Sequence, residues 1–295
     1  MSESMIRGPR NARQDDKYLS PPVQRSMRLL RHIVEGDPVT SVSRTARELG
    51  INRTTLLRLL RTLHSERFIE PRDDGNGWRV GVGFIGLAAQ AFHSEDIVQI
   101  SVPALTNLAE DLNLSAHLAV LDGTEIVYLL RRAPNHSFAS NIRVGSRLPA
   151  HAANMGRIIL AHLPPERVDR MYAGAVLDAV TPRTAVTLAQ LHAQLEADRV
   201  AGLAWSDGNY EPDISSVAAA IFDANGIPVA ALNVSGRSAD FAGAARRARI
   251  ADAVRAAASE ISQRLGWRAR GTVEPAANTY ATEASRARTP APAAE

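Results

Sequence analysis

TSVSRTARELGINRTTLLRLLRTL, residues 40–63, divides at Gly50 into two short helical patterns. Val42, Thr45, Ala46 and Leu49 fall on one face of the first, and Gly50 stops it. Asn52 has the chemistry of an N-cap for a second helix over residues 53–63. Leu56, Leu57, Leu59, Leu60 and Leu63 form the apolar side of that helix, and Arg53, Thr54, Thr55, Arg58 and Arg61 the polar side. A helix, a glycine turn and a helix that opens on Arg and Thr is the pattern of a DNA-binding helix-turn-helix. In that geometry the start of the second helix enters the major groove, where arginine pairs with guanine and threonine meets a thymine methyl. Taken alone, the segment fits an ordinary helical hairpin with a solvated arginine face equally well.

The flanks favour the first reading. Phe68, Ile69 and Glu70 make a short β-like run, and RDDGNG (72–77) is a turn signal. Trp78, Val80 and Val82 alternate as a return strand. A hairpin directly after a helix-turn-helix is a wing. Arg72 and Arg79 flank its turn, where they meet backbone phosphate or simply solubilise the hairpin. Between residues 25 and 79 eleven arginines stand against seven acids, an excess of four, which suits a domain that meets phosphate. The chain as a whole carries only +3.

The 295 residues have room for two domains and tails. With no cysteine, thiolate metal sites, disulfides and cysteine nucleophiles are excluded. No apolar run reaches the roughly 18 residues that a membrane helix needs. The polar start MSESMIRGPRNARQDDKY lacks a signal-peptide core, which makes a soluble cytoplasmic protein the expectation.

In chain order, residues 1–20 read as a disordered arm. Residues 23–35 make an amphipathic helix with Met27, Leu30, Ile33 and Val34 on one side. The winged unit spans 21–83. Residues 84–97 are an apolar linker helix suited to packing on the same helix of a second subunit. Residues 101–112 form a further helix with Pro103 near its start. Then the period changes. Residues 115–121 and 125–130 read as strands joined by Asp122-Gly123, and 142–145 as another short strand. A helix follows from about Ala152 or Asn154 to His162, with Asn154, Met155 and Gly156 in its first turns, where free N–H groups favour an anion. Helices over 166–172 and 186–200, strands over 214–222 and 229–234, and a closing helix over 244–265 complete an α+β domain, 98–268. Residues 269–295 read as a disordered tail.

The second half lacks the nucleotide-binding and nucleophile-elbow motifs. The eight histidines are scattered, and neither His151 nor His162 has a paired acidic ligand near it, so neither metal nor cofactor is expected. Ser215 or Ser216 with His151 and Asp207 is the kind of triple that any chain of this size contains. The more informative set is Asn154, Ser206, Asp207, Ser216, Asn233 and Ser235, small polar groups that suit a pocket for a small polar ligand.

Three stretches carry a family resemblance: VTSVSRTARELGINRTTLLRLLRTL, VGSRLPAHAANMGRIILAHLP and VAAAIFDANGIPVAALNVSG. Together they resemble the isocitrate-lyase-regulator (IclR) type of transcription factor over roughly residues 22–267. The resemblance implies a winged helix-turn-helix domain, a linker helix and a C-terminal GAF-like effector domain. It also implies dimers, often paired into tetramers, on palindromic operators near catabolic genes. Ser43, Arg44, Arg72 and Arg79 would hold phosphate, with Arg53, Thr54, Thr55, Arg58 and Arg61 at the groove. Carried over by motif, the effector pocket takes Asn154 and Met155, then Ser206 or Asp207, Ser216, Asn233 and Ser235. Two positions depart from the family habit: Ser216 stands where cysteine is frequent, and Met155 where a small residue is. The segment SDGNYEPDIS (206–215) departs as well, lacking the usual acidic-then-glycine pattern. The wording R-L-P-A…M-G-R is closer to the branch that senses aromatic acids. It implies a small carboxylate effector, with Arg143 and His151 as candidate charge partners. Two other classes stay open: an enzyme with a docking front end, and a structural DNA-binding protein without an effector.

Overall fold

The computed structural model describes residues 19–94, 96–134, 142–208, 210–211 and 213–268. The expected tail at 269–295 and nearly all of the expected arm at 1–20 lie outside them. The chain separates into two compact units, residues 1–95 and 96–295.

The first unit opens with α1 (Pro21–Val34), α2 (Val42–Glu48) and α3 (Arg53–Ser65). Proline in the first turn of α1 sits where its missing N–H costs nothing. Asn52 caps α3 as its residue type foretold, its Oδ1 accepting from Thr55 N at 2.7 Å. Leu29, Leu30 and Ile33 of α1 pack with Leu56, Leu59, Leu60 and Leu63 of α3, Ala46 of α2 and Ile69. The apolar faces expected from periodicity are narrower in the fold. Met27 and Val34 of α1, and Leu57 of α3, are exposed, because the stripe that meets the core leaves residues just off it in solvent.

The hairpin is β1 (Ile69–Pro71) paired antiparallel with β2 (Trp78–Val80). Arg72 N donates to Gly77 O at 3.0 Å and closes the turn. Gly77 has a positive φ, and a Cβ there would lie 2.1 Å from Pro38 O, so only glycine lets the wing reach the loop before α2. Val82 does not extend β2. It opens α4 (Val82–Ser94), since Gly81 ends the ladder: a Cβ at 81 would meet Arg67 O at 2.4 Å.

The second unit begins with α5 (Asp96–Leu112), which starts five residues earlier than the sequence pattern suggested and carries Pro103 inside. A six-stranded antiparallel sheet follows in the order β5-β4-β3-β8-β7-β6. Its strands are β3 (Ser115–Asp122), β4 (Glu125–Arg132), β5 (Arg147–Pro149), β6 (Ala204–Asp207), β7 (Ile214–Phe222) and β8 (Pro228–Arg237). Residues 142–145 are not a strand. They turn, with Ser146 N bonded to Arg143 O, and the strand is displaced to 147–149. β6 was not legible as a strand, being four residues at the sheet edge.

The helices α6 (Asn154–Leu160), α7 (Pro165–Met171) and α8 (Leu188–Ala201) lie on one face. The helices α5 and α9 (Ala244–Arg264) pack elsewhere on the sheet, α9 against β7 and β8 and α5 against β3 and β4. Small residues on the first face, Ala119, Ala218, Ala220 and Ala231, make room for α6. Gly156 completes that fit, since a Cβ there would fall 2.3 Å from Ala150 O. Beneath α6, Arg157 is buried, its Nε donating to Asp198 at 2.9 Å and its Nη2 to Trp205 O at 2.6 Å. This ties α6 to α8 and β6. Burial raises the Asp198 pKa despite the guanidinium that opposes it, so desolvation outweighs attraction there.

Candidate functional site

In the first unit the N-terminal end of α3 presents Arg53 and Thr54 to solvent, with Arg58 and Arg61 exposed one and two turns on. Thr55 is half-buried, its N–H already spent on the cap. No ion pair engages Arg53, Arg58 or Arg61 among the described residues. The other expected phosphate contacts are arranged differently. Ser43 is exposed on α2. Arg44 pairs with Asp37 at 2.7 Å, Arg79 bridges Glu70 at 2.8 Å and Asp73 at 2.9 Å, and Arg72 lies 3.6 Å from Asp74. Exposed pairs of this kind are worth little, so each can be exchanged for a phosphate. The fold thus sorts the arginines expected at DNA into an unpaired set on α3 (Arg53, Arg58, Arg61) and a neutralised set around it (Arg44, Arg72, Arg79).

In the second unit a cavity opens over the sheet at the start of α6. Two rungs of the ladder make its floor. Ser206, Ser216 and Ser235 are direct cross-strand neighbours on β6, β7 and β8. Two residues along, Asn233 pairs with His117 of β3. Because directly paired residues share a face, these side chains point the same way. Asn154 closes the site from α6. Tyr128, Ile142, Leu148 and Ala153 add an apolar wall, and the half-buried Tyr210, Glu211 and Ile214 complete the lining.

The polar side chains are wired together. Asn154 Nδ2 donates to Ala204 O at 3.2 Å and to Ser216 Oγ at 3.0 Å. Asn233 Nδ2 donates to Asn154 Oδ1 at 3.2 Å, and Asn233 Oδ1 meets His117 Nδ1 at 2.9 Å. Burial pushes the His117 pKa down to about 4, against a weaker pull upward from Asn233, so the ring is neutral at pH 7. Its Nε2 is buried and meets no partner among the described residues. The cavity volume is about 40 Å³. That holds a few waters and falls well short of the roughly 300 Å³ of a drug-sized site, so a ring-sized ligand requires the lining to yield.

Five of the seven expected pocket residues line this cavity: Asn154, Ser206, Ser216, Asn233 and Ser235. Met155 does not. It is fully buried in the core, because the residue after Asn154 on the helix turns toward the packed interior. Asp207 does not either, since strand alternation turns it from Ser206 to the opposite face. There it takes a bidentate pair from Arg247 at 3.0 and 3.2 Å and a bond from Ser215, which hold its pKa below the usual carboxylate range. Arg247 also stacks 4.0 Å over Trp205. Arg143 is exposed, and His151 Nε2 bonds Asp178 O at 3.1 Å. Neither lines the cavity. Nor do His151 and Asp207 form a triple with Ser215, since they belong to separate networks. The seven-residue α6 has no side-chain cap, and the side chain of its first residue, Asn154, is engaged in the amide network. His117 and Tyr128 escaped sequence reading. The one available signal was a histidine among alternating apolar residues, in SAHLAV, on a strand with a buried face.

A helix-turn-helix with unpaired arginines in one unit and a polar cavity in the other define a DNA-binding regulator with a sensory domain. The comparisons with known proteins agree. Residues 22–73 match the IclR helix-turn-helix domain and residues 89–263 the bacterial transcriptional regulator IclR C-terminal domain. The chain belongs to the IclR family of transcriptional regulators, a regulatory family rather than an enzymatic one. It is 28% identical over 214 residues to the transcriptional repressor IclR of Escherichia coli K12, covering 72% of this chain and 78% of that one. To the repressor AllR of the same strain it is 26% identical over 247 residues, covering 84% and 91%. Among solved structures, a regulator from Rhodococcus sp. RHA1 has a TM-score of 0.73 at 27% identity, covering 84% of this chain and 98% of that one. An IclR homologue from Microbacterium hydrocarbonoxydans, solved with 4-hydroxybenzoate, shares the fold with a TM-score of 0.72 at 23% identity, covering 83% and 98%.

Proposed function

We propose that the chain is a ligand-responsive transcriptional regulator of catabolic genes, acting in the cytoplasm, whose α3 reads a palindromic operator and whose cavity binds a small carboxylate. The unpaired arginines on the exposed side of α3 carry the reading. Arg53, Thr54, Thr55, Arg58 and Arg61 take the groove, and Ser43, Arg44, Arg72 and Arg79 the phosphates after exchanging their carboxylates. Two copies are needed to read two half-sites. The exposed Val82, Ile85 and Leu87 of α4 supply apolar surface for pairing into a dimer or tetramer. In domain terms, residues 21–83 bind DNA, 84–97 link and 98–268 sense.

Among the described residues the cavity lining holds no cation and one acid, Glu211. A carboxylate is therefore held by neutral donors, the hydroxyls of Ser206, Ser216 and Ser235. A ligand shifts operator occupancy only through unequal affinity for the two states of the dimer, and a coupling of about 1–3 kcal/mol changes it several-fold to a hundred-fold.

The test is a gel-shift titration on the DNA upstream of the chain's own gene. Arg53→Ala and Arg58→Ala are each expected to weaken binding by about 1–3 kcal/mol and relax preference at one base position. Asn154→Leu is expected to leave DNA binding intact and abolish the response to effector. Wild-type binding by both arginine variants would remove α3 from the groove.

A further inference from the structure

The amide network over the sheet is polar in one direction, and that direction can be followed atom by atom. Ala204 O is a backbone carbonyl, so it can only accept. The Asn154 group facing it at 3.2 Å must therefore be the amide nitrogen, which turns Asn154 Oδ1 toward Asn233. Asn154 Oδ1 can only accept, so the Asn233 group beside it at 3.2 Å is again nitrogen. That turns Asn233 Oδ1 toward His117 Nδ1 at 2.9 Å, and this contact needs a proton on Nδ1. Burial, with the Arg131 charge adding to it, keeps the ring neutral, so it carries one proton and Nε2 is left a bare lone pair. His117 is 1% exposed and lines the cavity, and no protein group among the described residues meets Nε2.

We propose that His117 is the specificity-determining acceptor of this cavity, and that the effector must bring a hydroxyl or N–H donor to its Nε2. This rests on the effector reading of the cavity given above. The tautomer is set from Ala204, three side-chain bonds away, so the ring cannot switch to a donor without breaking the chain of amides. A ligand without a donor leaves the already buried Nε2 lone pair unmet, whereas one with a donor satisfies it. The serine rung lies two residues along the strand from the His117–Asn233 rung, about 7 Å at the usual strand rise. An acid group on the serines and a donor on His117 therefore describe a small hydroxy acid with its two polar ends about a ring's length apart. A simple monocarboxylate does not meet both rungs.

The test joins a ligand-free measurement to a matched ligand series, both on the full chain. Nitrogen NMR of histidine-labelled protein at pH 7 is expected to show Nδ1 of His117 protonated and Nε2 bare. A protonated Nε2 overturns the proposal. Benzoate, 4-hydroxybenzoate and 4-methoxybenzoate are then titrated by calorimetry, together with a panel of aliphatic acids and hydroxy acids with their O-methyl ethers. Binders are expected to carry the donor and to lose about 10-fold or more in affinity when it is methylated or absent, the cost of one unmet buried acceptor. In His117→Asn the amide nitrogen takes the place of Nδ1, keeps the bond to Asn233 and removes the Nε2 acceptor. It is expected to erase the preference for the donor while leaving DNA binding unchanged. Donor-free acids binding as tightly as their hydroxylated partners, equally in wild type and His117→Asn, overturn this inference and leave the effector reading standing. Failure of every compound to bind wild-type protein, with DNA binding intact, instead removes the effector reading and this inference with it.

Discussion

Acid should loosen the second unit through one histidine, and the size of the effect follows from its burial. His117 is held neutral with its pKa lowered to about 4, while in the unfolded chain it returns to about 6.5. The unfolded state therefore binds a proton that the native state refuses. By linkage, stability is intact above pH 6.5 and falls as pH drops toward 4. The loss from this residue is about 1 kcal/mol at pH 6, about 2 at pH 5 and about 3 at pH 4, from the difference between the two binding curves. Urea unfolding measured across that range reads it directly. A Trp78→Phe background leaves Trp205 and Trp267 to report on the second unit. The other histidines contribute their own slopes, so the comparison is between wild type and His117→Asn: the variant should be flatter by about 2 kcal/mol between pH 7 and pH 5. Identical pH slopes in the two proteins would mean that His117 titrates normally. The desolvation that keeps it neutral, and with it the bare Nε2, would then be wrong.

Gly156→Ala should cost about 2–3 kcal/mol and impair the cavity, since the added Cβ would sit 2.3 Å from a backbone oxygen that cannot step aside; a thermal melt checks it. Asp198→Ala should cost about 3–5 kcal/mol by leaving Arg157 buried and unpaired, and Arg157→Met with Asp198→Leu should recover most of that loss, as denaturant midpoints would show. Arg79→Ala should lower operator affinity less than Arg58→Ala does, because Glu70 and Asp73 already neutralise Arg79. Gel-shift titrations of the two variants at equal salt decide that, and an equal loss would show that the wing's ion pairs open fully onto DNA.

Local chemistry was enough to place the DNA-binding unit. Asn52, Gly50 and the leucine spacing of α3 act within a few residues of chain, so a cap, a stop and an amphipathic stripe could be read without knowing the fold. The same is true of the hairpin turn at 72–77 and of the strands at 115–121 and 214–222. Five cavity residues were legible because small polar groups on strands and at a helix start already suggest a binding surface. What no reading of residue order could supply was which side chains meet. Asp207 and Ser206 are neighbours in sequence, yet the pleat sends one to Arg247 and the other to the cavity. His117 stands 116 residues from Asn233, and only the register of β3 against β8 makes them partners. The direction of the amide chain, and so the tautomer of the ring, comes from a carbonyl on β6 that presents no side chain at all. Such contacts depend on strand order and register, which arise from the packing of the whole sheet rather than from the preferences of any one segment.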